Sequence, residues 1–153
     1  MNNITINSNS NDIKEMEKLF PRAPLKIIAM EGCKELGQKV NDYIVNFRQS
    51  SYREELKSPM YATYLQDNYL VDAHCPRFGS GEAKGVLNES VRGKDLFIMT
   101  DVCNYSLTYS VNGYVNHMSP DDHYQDLKRM IAAANGKARR ITVIMPFLYE
   151  SRQ

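Results

Sequence analysis

Leu96-Phe97-Ile98-Met99-Thr100-Asp101-Val102 reads as the clearest buried strand of the chain. The residues after it decide the fold. Ser119-Pro120-Asp121-Asp122 is a helix start, with Ser as the cap, Pro at the first helical position and acids in the first turn. Leu127, Met130, Ile131 and Ala134 recur at helical spacing, and Asn135-Gly136 stops the helix. Ile141-Thr142-Val143-Ile144-Met145-Pro146 is a second apolar strand. Strand, helix, strand is a βαβ unit, which makes its two strands parallel.

Working outward, Leu25-Lys26-Ile27-Ile28-Ala29-Met30 is a further buried strand. After Gly32 the pattern predicts a helix to about Arg48, with Leu36, Val40, Tyr43, Ile44 and Phe47 as one apolar stripe. Tyr69–His74 reads as a strand, Arg77–Glu82 as a turn, and Lys84–Asn88 as an antiparallel return. Arg92-Gly93-Lys94-Asp95 is a second turn. Asn104 to Met118 shows no strong period and reads as an inserted loop with a hairpin about Asn112-Gly113. Gln49 to Lys57 is polar and is broken by Ser58-Pro59. Asp12 caps a short helix with Ile13, Met16, Leu19 and Phe20 on one face, ended by Pro21 and Pro24. The fold class is α/β, a mainly parallel sheet flanked by helices, plus a β-hairpin. Ligands of such sheets gather beyond the carboxyl ends of the strands. Here those ends are Met30-Glu31-Gly32, Asp101-Val102-Cys103 and Pro146-Phe147-Leu148.

A chain of 153 residues is one domain by length, taken as residues 25–153 behind a tail and short helix at 1–24. Hydrophobic residues at 42% and charged residues at 24% are a globular composition. A net charge of +1 argues against a broad nucleic-acid face. No apolar run approaches the roughly 18 residues of a membrane span, and Met1 to Asn11 lacks the charge and apolar core of a secretory signal. Cys33, Cys75 and Cys103 lie far apart with no CxxC, which reads as reduced thiols in the cytoplasm.

Phe78-Gly79-Ser80-Gly81-Glu82 offers an aromatic face, flexible backbone and a carboxylate that can accept from an exocyclic amine. It is equally an ordinary hairpin turn, and the residues by themselves leave both readings open. His74 and Cys75 are adjacent, so they lie on opposite faces of a strand, and no second pair sits at zinc spacing. His123 lies beside Asp121, Asp122 and Asp126, where helix capping already explains the acids without a divalent ion. His117 and Arg139-Arg140 read as solvated. Arg152-Gln153 lies past the last strand, either simply exposed or placed where a phosphate would sit. No Walker A sequence, GxSxG elbow or HExxH helix occurs.

Several stretches, in order, resemble the N-terminal half of ribose-phosphate pyrophosphokinases, also called phosphoribosyl pyrophosphate synthetases. They are Ile27–Gly32 followed by Glu35–Val40; Arg77–Glu82, similar to that family's R-F-S-D-G-E; and Asn88–Ile98, close to its N-E-x-V-R-G-x-D-v-f-I. Asp121-Asp122 with its helix comes next, then Arg140–Pro146, and Arg152-Gln153 matches the start of A-R-Q-D. The resemblance covers residues 25–153, and its third block is the most specific.

The resemblance implies a phosphoribosyltransferase-like domain, one of two such domains in a subunit. It implies an enzyme of nucleotide biosynthesis, a ribose-phosphate diphosphokinase. Such a transferase moves the β,γ-diphosphoryl group of ATP to the 1-hydroxyl of ribose 5-phosphate with Mg2+. It implies a homo-oligomer in which the hairpin serves a neighbouring subunit's adenine pocket, hence Phe78, Ser80 and Glu82 as nucleotide-binding residues, with Arg152 and Gln153 contacting the same nucleotide. No catalytic and no metal residue is carried over.

Three departures stand out. Ser80 replaces the family's Asp; the segments around 50–68 and 104–118 are longer; and no Gly-Gly occurs, so the sugar-phosphate loop of the C-terminal domain is not in this sequence. The resemblance therefore makes this an N-terminal-domain piece that is inactive alone. The alternative is a non-catalytic regulatory or associated subunit of the same fold.

Overall fold

The computed structural model describes residues 23–50 and 63–152. The short helix after Asp12, most of the polar stretch after Ser50, and Gln153 lie outside the described residues. In chain order the elements are β1 (Leu25–Ala29), a 3-10 turn (Glu31–Cys33), α1 (Lys34–Ser50), β2 (Ala73–His74), β3 (Val86–Leu87) and β4 (Asp95–Met99). Then come β5 (Thr108–Val111), β6 (Tyr114–His117), α2 (Pro120–Ala134) and β7 (Arg140–Ile144).

The central sheet has the order β1-β4-β7, all parallel, with Ile28 opposite Ile98 and Ile98 opposite Val143. β4 is the middle strand, so both its faces are covered, which is why it reads as an unbroken apolar run. The period of two still divides it. Leu96 and Ile98 join Ile28, Leu127, Met130 and Ala134 under α2. Phe97 and Met99 meet Ile27, Cys33, Tyr69, Val40 and Ile44 under α1. Over the described residues the chain is thus an α/β domain, a three-stranded parallel sheet with antiparallel strand pairs and two helices.

α2 starts and stops where its sequence predicts. The Asp122 backbone N–H donates to Ser119 Oγ at 3.1 Å and the Ser119 N–H donates to the Asp122 carboxylate at 2.9 Å, a reciprocal cap. Burial acts to raise the Asp122 carboxyl, but the Ser119 backbone and hydroxyl hydrogen bonds and the Arg77 charge outweigh it and hold it below its ordinary 3.8. The carboxylate contact is therefore in place above that value and is lost as pH falls below it. Asn135 takes the left-handed conformation (φ 47°) and ends the helix. The hairpin about Asn112-Gly113 is also present, its two turn residues at φ 51° and 83° as a tight antiparallel connection demands.

Two expectations are corrected. Leu36, Val40, Tyr43, Ile44 and Phe47 do not form one buried stripe: Leu36, Tyr43 and Phe47 are exposed, Tyr43 by 72%. Gly37 and Asn41 are buried instead. The Asn41 side-chain oxygen accepts the Tyr69 N–H at 2.8 Å, satisfying a backbone donor that would otherwise be buried without a partner. At Gly37 the helix lies directly on β1, so close that a Cβ there would stand 2.4 Å from the Ala29 Cβ. Polar satisfaction and close approach thus turn α1 away from its most apolar line.

Nor is Tyr69–His74 one strand. The Tyr69 carbonyl accepts from Ile27 N–H and the Ile27 carbonyl from Val71 N–H, both at 2.8 Å, forming a parallel bridge beside β1. The segment then leaves the sheet, and Ala73 and His74 pair antiparallel with Leu87 and Val86. The predicted antiparallel return is present, but only two residue pairs long.

Gly37→Ala should destabilise the domain by about 1–3 kcal/mol, the usual penalty of forcing added atoms into a packed contact. Urea denaturation of the variant, with the denaturant slope unchanged, checks this.

Candidate functional site

The Arg77–Glu82 segment is a short hairpin closed by an Arg77–Ala83 bridge. Phe78 N–H donates to the Glu82 carbonyl at 2.7 Å and Gly81 N–H to the Phe78 carbonyl at 2.9 Å. Gly81 sits at φ 90°, the left-handed position that a three-residue hairpin loop fills with glycine. Phe78 is 49% exposed. Ser80, exposed beside it, donates from its hydroxyl to the Glu82 carboxylate at 3.0 Å. Ser80 thus orients the Glu82 carboxylate.

The hairpin's base is anchored through Arg77. Its Nη2 donates to Asp126 Oδ2 at 2.8 Å, while Arg129 Nη1 donates to Asp126 Oδ1 at 2.7 Å. The Asp126 side chain is only 7% exposed and that of Arg77 12%. Two guanidiniums on one buried carboxylate satisfy both its oxygens. The Arg77 guanidinium also lies over the Tyr109 ring, 4.6 Å from its centroid.

Nearby, at the carboxyl ends of β1 and β4, a cavity of about 190 Å³ is lined by Met30, Thr100, Cys75, Arg77, Tyr109 and His123 among others. Burial pushes the Cys75 thiol up to about 11, with the Asp126 charge adding to the effect. Burial and Asp101 also raise the Cys33 thiol. Cys103 is exposed.

Arg152 is exposed and lies elsewhere, on a recess lined by Phe147, Glu150 and Ser151, none of them a hairpin residue. That segment is tied to α2 by Tyr149. Its ring stacks on Tyr124 at 4.3 Å, and its hydroxyl donates to the Asp121 carboxylate, which pushes the phenol up to about 12. The structure therefore brings Phe78, Ser80 and Glu82 together on one hairpin, and none of them lines the recess at Arg152.

The acids around His123 are each engaged: Asp121 with Tyr149, Asp122 in the cap, and Asp126 with two arginines. The buried His123 ring bonds through Nε2 to the Asn104 carbonyl at 2.7 Å. Among the described residues no group of three His, Cys, Asp or Glu side chains can hold a metal ion. His117 is exposed as expected, but it also stacks on Tyr105 at 4.8 Å. Arg140 is not merely solvated, since its guanidinium grips Asp95 through Nε and Nη2 at 2.8 and 2.6 Å.

Sequence reading missed the joint of Arg77, Tyr109, Asp126 and Arg129. One signal was present: Asp126 stands next to Leu127 and four positions before Met130 on the buried face of α2, where a carboxylate demands a cation.

The fold and this hairpin define an α/β domain whose exposed aromatic and carboxylate are presented outward from an anchored base. A family model described as the N-terminal domain of ribose phosphate pyrophosphokinase matches residues 25–153, and the chain belongs to that family. It is also similar to ribose-phosphate pyrophosphokinase B of Dictyostelium discoideum, 32% identical over 78 residues. That stretch is 50% of this chain and 20% of the relative.

The buried carboxylate and the raised thiols each lead to an expected outcome. Asp126→Ala should destabilise the domain by about 3–5 kcal/mol, because it leaves buried guanidinium without its counter-charge; thermal and urea unfolding read this. Alkylation with iodoacetamide near pH 8 should modify Cys103 well before Cys75 or Cys33, whose raised thiols supply little thiolate; peptide mass spectrometry of a time course checks the order.

Proposed function

We propose that this chain is the nucleotide-side domain of a cytoplasmic ribose-phosphate diphosphokinase, which transfers diphosphate from ATP to ribose 5-phosphate and makes phosphoribosyl pyrophosphate. One observation carries the reading. The half-exposed Phe78 ring and the Glu82 carboxylate, oriented by Ser80, stand on a hairpin fixed at its base and open at its tip. An adenine base stacks on Phe78, and its exocyclic amine donates to Glu82. Ser80 fills the place of the family's acid with a hydroxyl that aims the acid that remains.

Arg152, with Gln153 beside it in sequence, supplies a planar fork of donors for phosphate oxygens. Because no hairpin residue lines the recess at Arg152, the two sets act on one nucleotide when the hairpin of one copy reaches the Arg152 side of another. This supports a homo-oligomeric active unit. A second, separate domain supplies the sugar-phosphate loop, and residues 25–153 by themselves perform no turnover. Diphosphoryl transfer depends on positioning and charge neutralisation, so half of a site gives almost no rate.

The described residues do not fit a Mg2+ site, since Asp121, Asp122 and Asp126 are each already engaged by protein partners. In this reading the ion arrives with ATP.

In the full-length protein, Phe78→Ala should weaken ATP binding by about 1–3 kcal/mol through lost base stacking. Glu82→Gln should shift the preference between ATP and GTP, and Arg152→Lys should weaken ATP more than a charge-conserving change implies. Titration calorimetry with both nucleotides separates the three effects. ATP binding equal to the parent in all three variants would overturn the pocket and favour the non-catalytic subunit.

A further inference from the structure

We propose that Tyr109, acting through Arg77, is a positioning residue for nucleotide affinity, and that strand β5 serves as a wall against which the Phe78–Glu82 tip is held. The proposal rests on the nucleotide reading of that tip.

The tip is intrinsically loose. It has glycine at positions 79 and 81, and glycine loses more conformational freedom on ordering than any other residue. Contacts from outside the loop therefore add to its own hydrogen bonds in selecting one shape. β5 meets it at both ends. Its residues alternate, with Thr108 and Ser110 exposed and Tyr109 and Val111 half-buried.

Tyr109 takes the guanidinium of Arg77 on its ring at the hairpin base. At Gly81, the place a Cβ would occupy is 3.1 Å from Val111 Cγ2 and 3.9 Å from Tyr109 Cε2, so the strand abuts the loop itself. The Tyr109 hydroxyl stands 3.5 Å from the Asp122 carboxylate, the edge of hydrogen-bonding range, so the ring rather than the hydroxyl carries the contact with the hairpin. Arg77 completes the frame, with Nη2 on Asp126 at 2.8 Å and Nη1 directed at the Gly81 carbonyl at 3.4 Å.

A preformed tip spares ATP the cost of ordering the loop. That saving enters nucleotide affinity and leaves the chemical step untouched. The segment from 104 to 118 thereby acquires a role: its strand β5 helps to preset the hairpin.

The test uses the full-length protein, with ATP varied at saturating ribose 5-phosphate and melting temperatures recorded alongside. Tyr109→Leu should raise KM for ATP by about threefold to tenfold, the range for a partly desolvated cation–ring contact, with kcat within about twofold. Tyr109→Phe keeps the ring and should restore the parent KM. If Tyr109→Leu fails to fold, Val111→Ala, which removes the methyl group that abuts Gly81, should also raise KM for ATP with kcat within about twofold.

An unchanged KM in Tyr109→Leu, beside a raised KM in Phe78→Ala, would overturn the wall and leave the nucleotide reading standing. A rise in Tyr109→Phe equal to that in Tyr109→Leu, or a fall in kcat without a change in KM, would also overturn it. An unchanged KM in Phe78→Ala itself would remove the nucleotide reading and the wall with it.

Discussion

Asp126 holds a carboxylate on the apolar side of a helix, almost out of contact with water. Such a charge is tolerated only when cations meet it directly. One comes from its own helix at Arg129, and the other, Arg77, from a segment 49 residues earlier in the chain. The geometry of the site results from that requirement. Meeting it brings the Arg77–Glu82 hairpin against α2, and the turn after Arg77 is then carried outward with Phe78 at its surface.

The same helix positions the other candidate group. Asp121, one turn earlier, receives the Tyr149 hydroxyl while Tyr124 stacks under the Tyr149 ring, so the segment bearing Arg152 is referenced to α2 as well. Asp122 between them serves the helix itself through its cap. Three acids of one helix are thus each held by protein partners, and none is left to gather a metal ion. An acidic cluster read from sequence alone invites a cation site; here the acids fasten protein to protein.

Much of the fold was legible because its signals are local. The run at Leu96–Met99, the cap at Ser119-Pro120, the stop at Asn135-Gly136 and the turn at Asn112-Gly113 each depend on residues within a few positions of one another. The features that escaped were non-local. Nothing near Asn41 announces that it will serve the backbone of Tyr69, so the buried line of α1 was misjudged. The split of Tyr69–His74 reflects a change of pairing partner that no periodicity records. The alternation of β5 was masked because every residue of β6 is exposed, which flattens the pattern across the hairpin. The turn at Arg77–Glu82 was legible, yet the joint that supports it was not, because Tyr109 lies 32 positions beyond Arg77.

The sheet is unequal from side to side. Its β1 margin is closed by the bridge to Leu70, and β4 is bonded on both sides. Among the described residues β7 is bonded on one side only, with Val143 and Ile144 at 38% and 41% exposure. Backbone groups along such a margin answer to solvent, so local opening there is easier than at the centre. Amide protons of β4 therefore survive longest against exchange with heavy water, and those of β7 are surrendered earlier. The sheet has a gradient of persistence running toward the strand that leads into Arg152, and the segment bearing Arg152 is held by Tyr149 on α2 more than by the sheet from which it emerges.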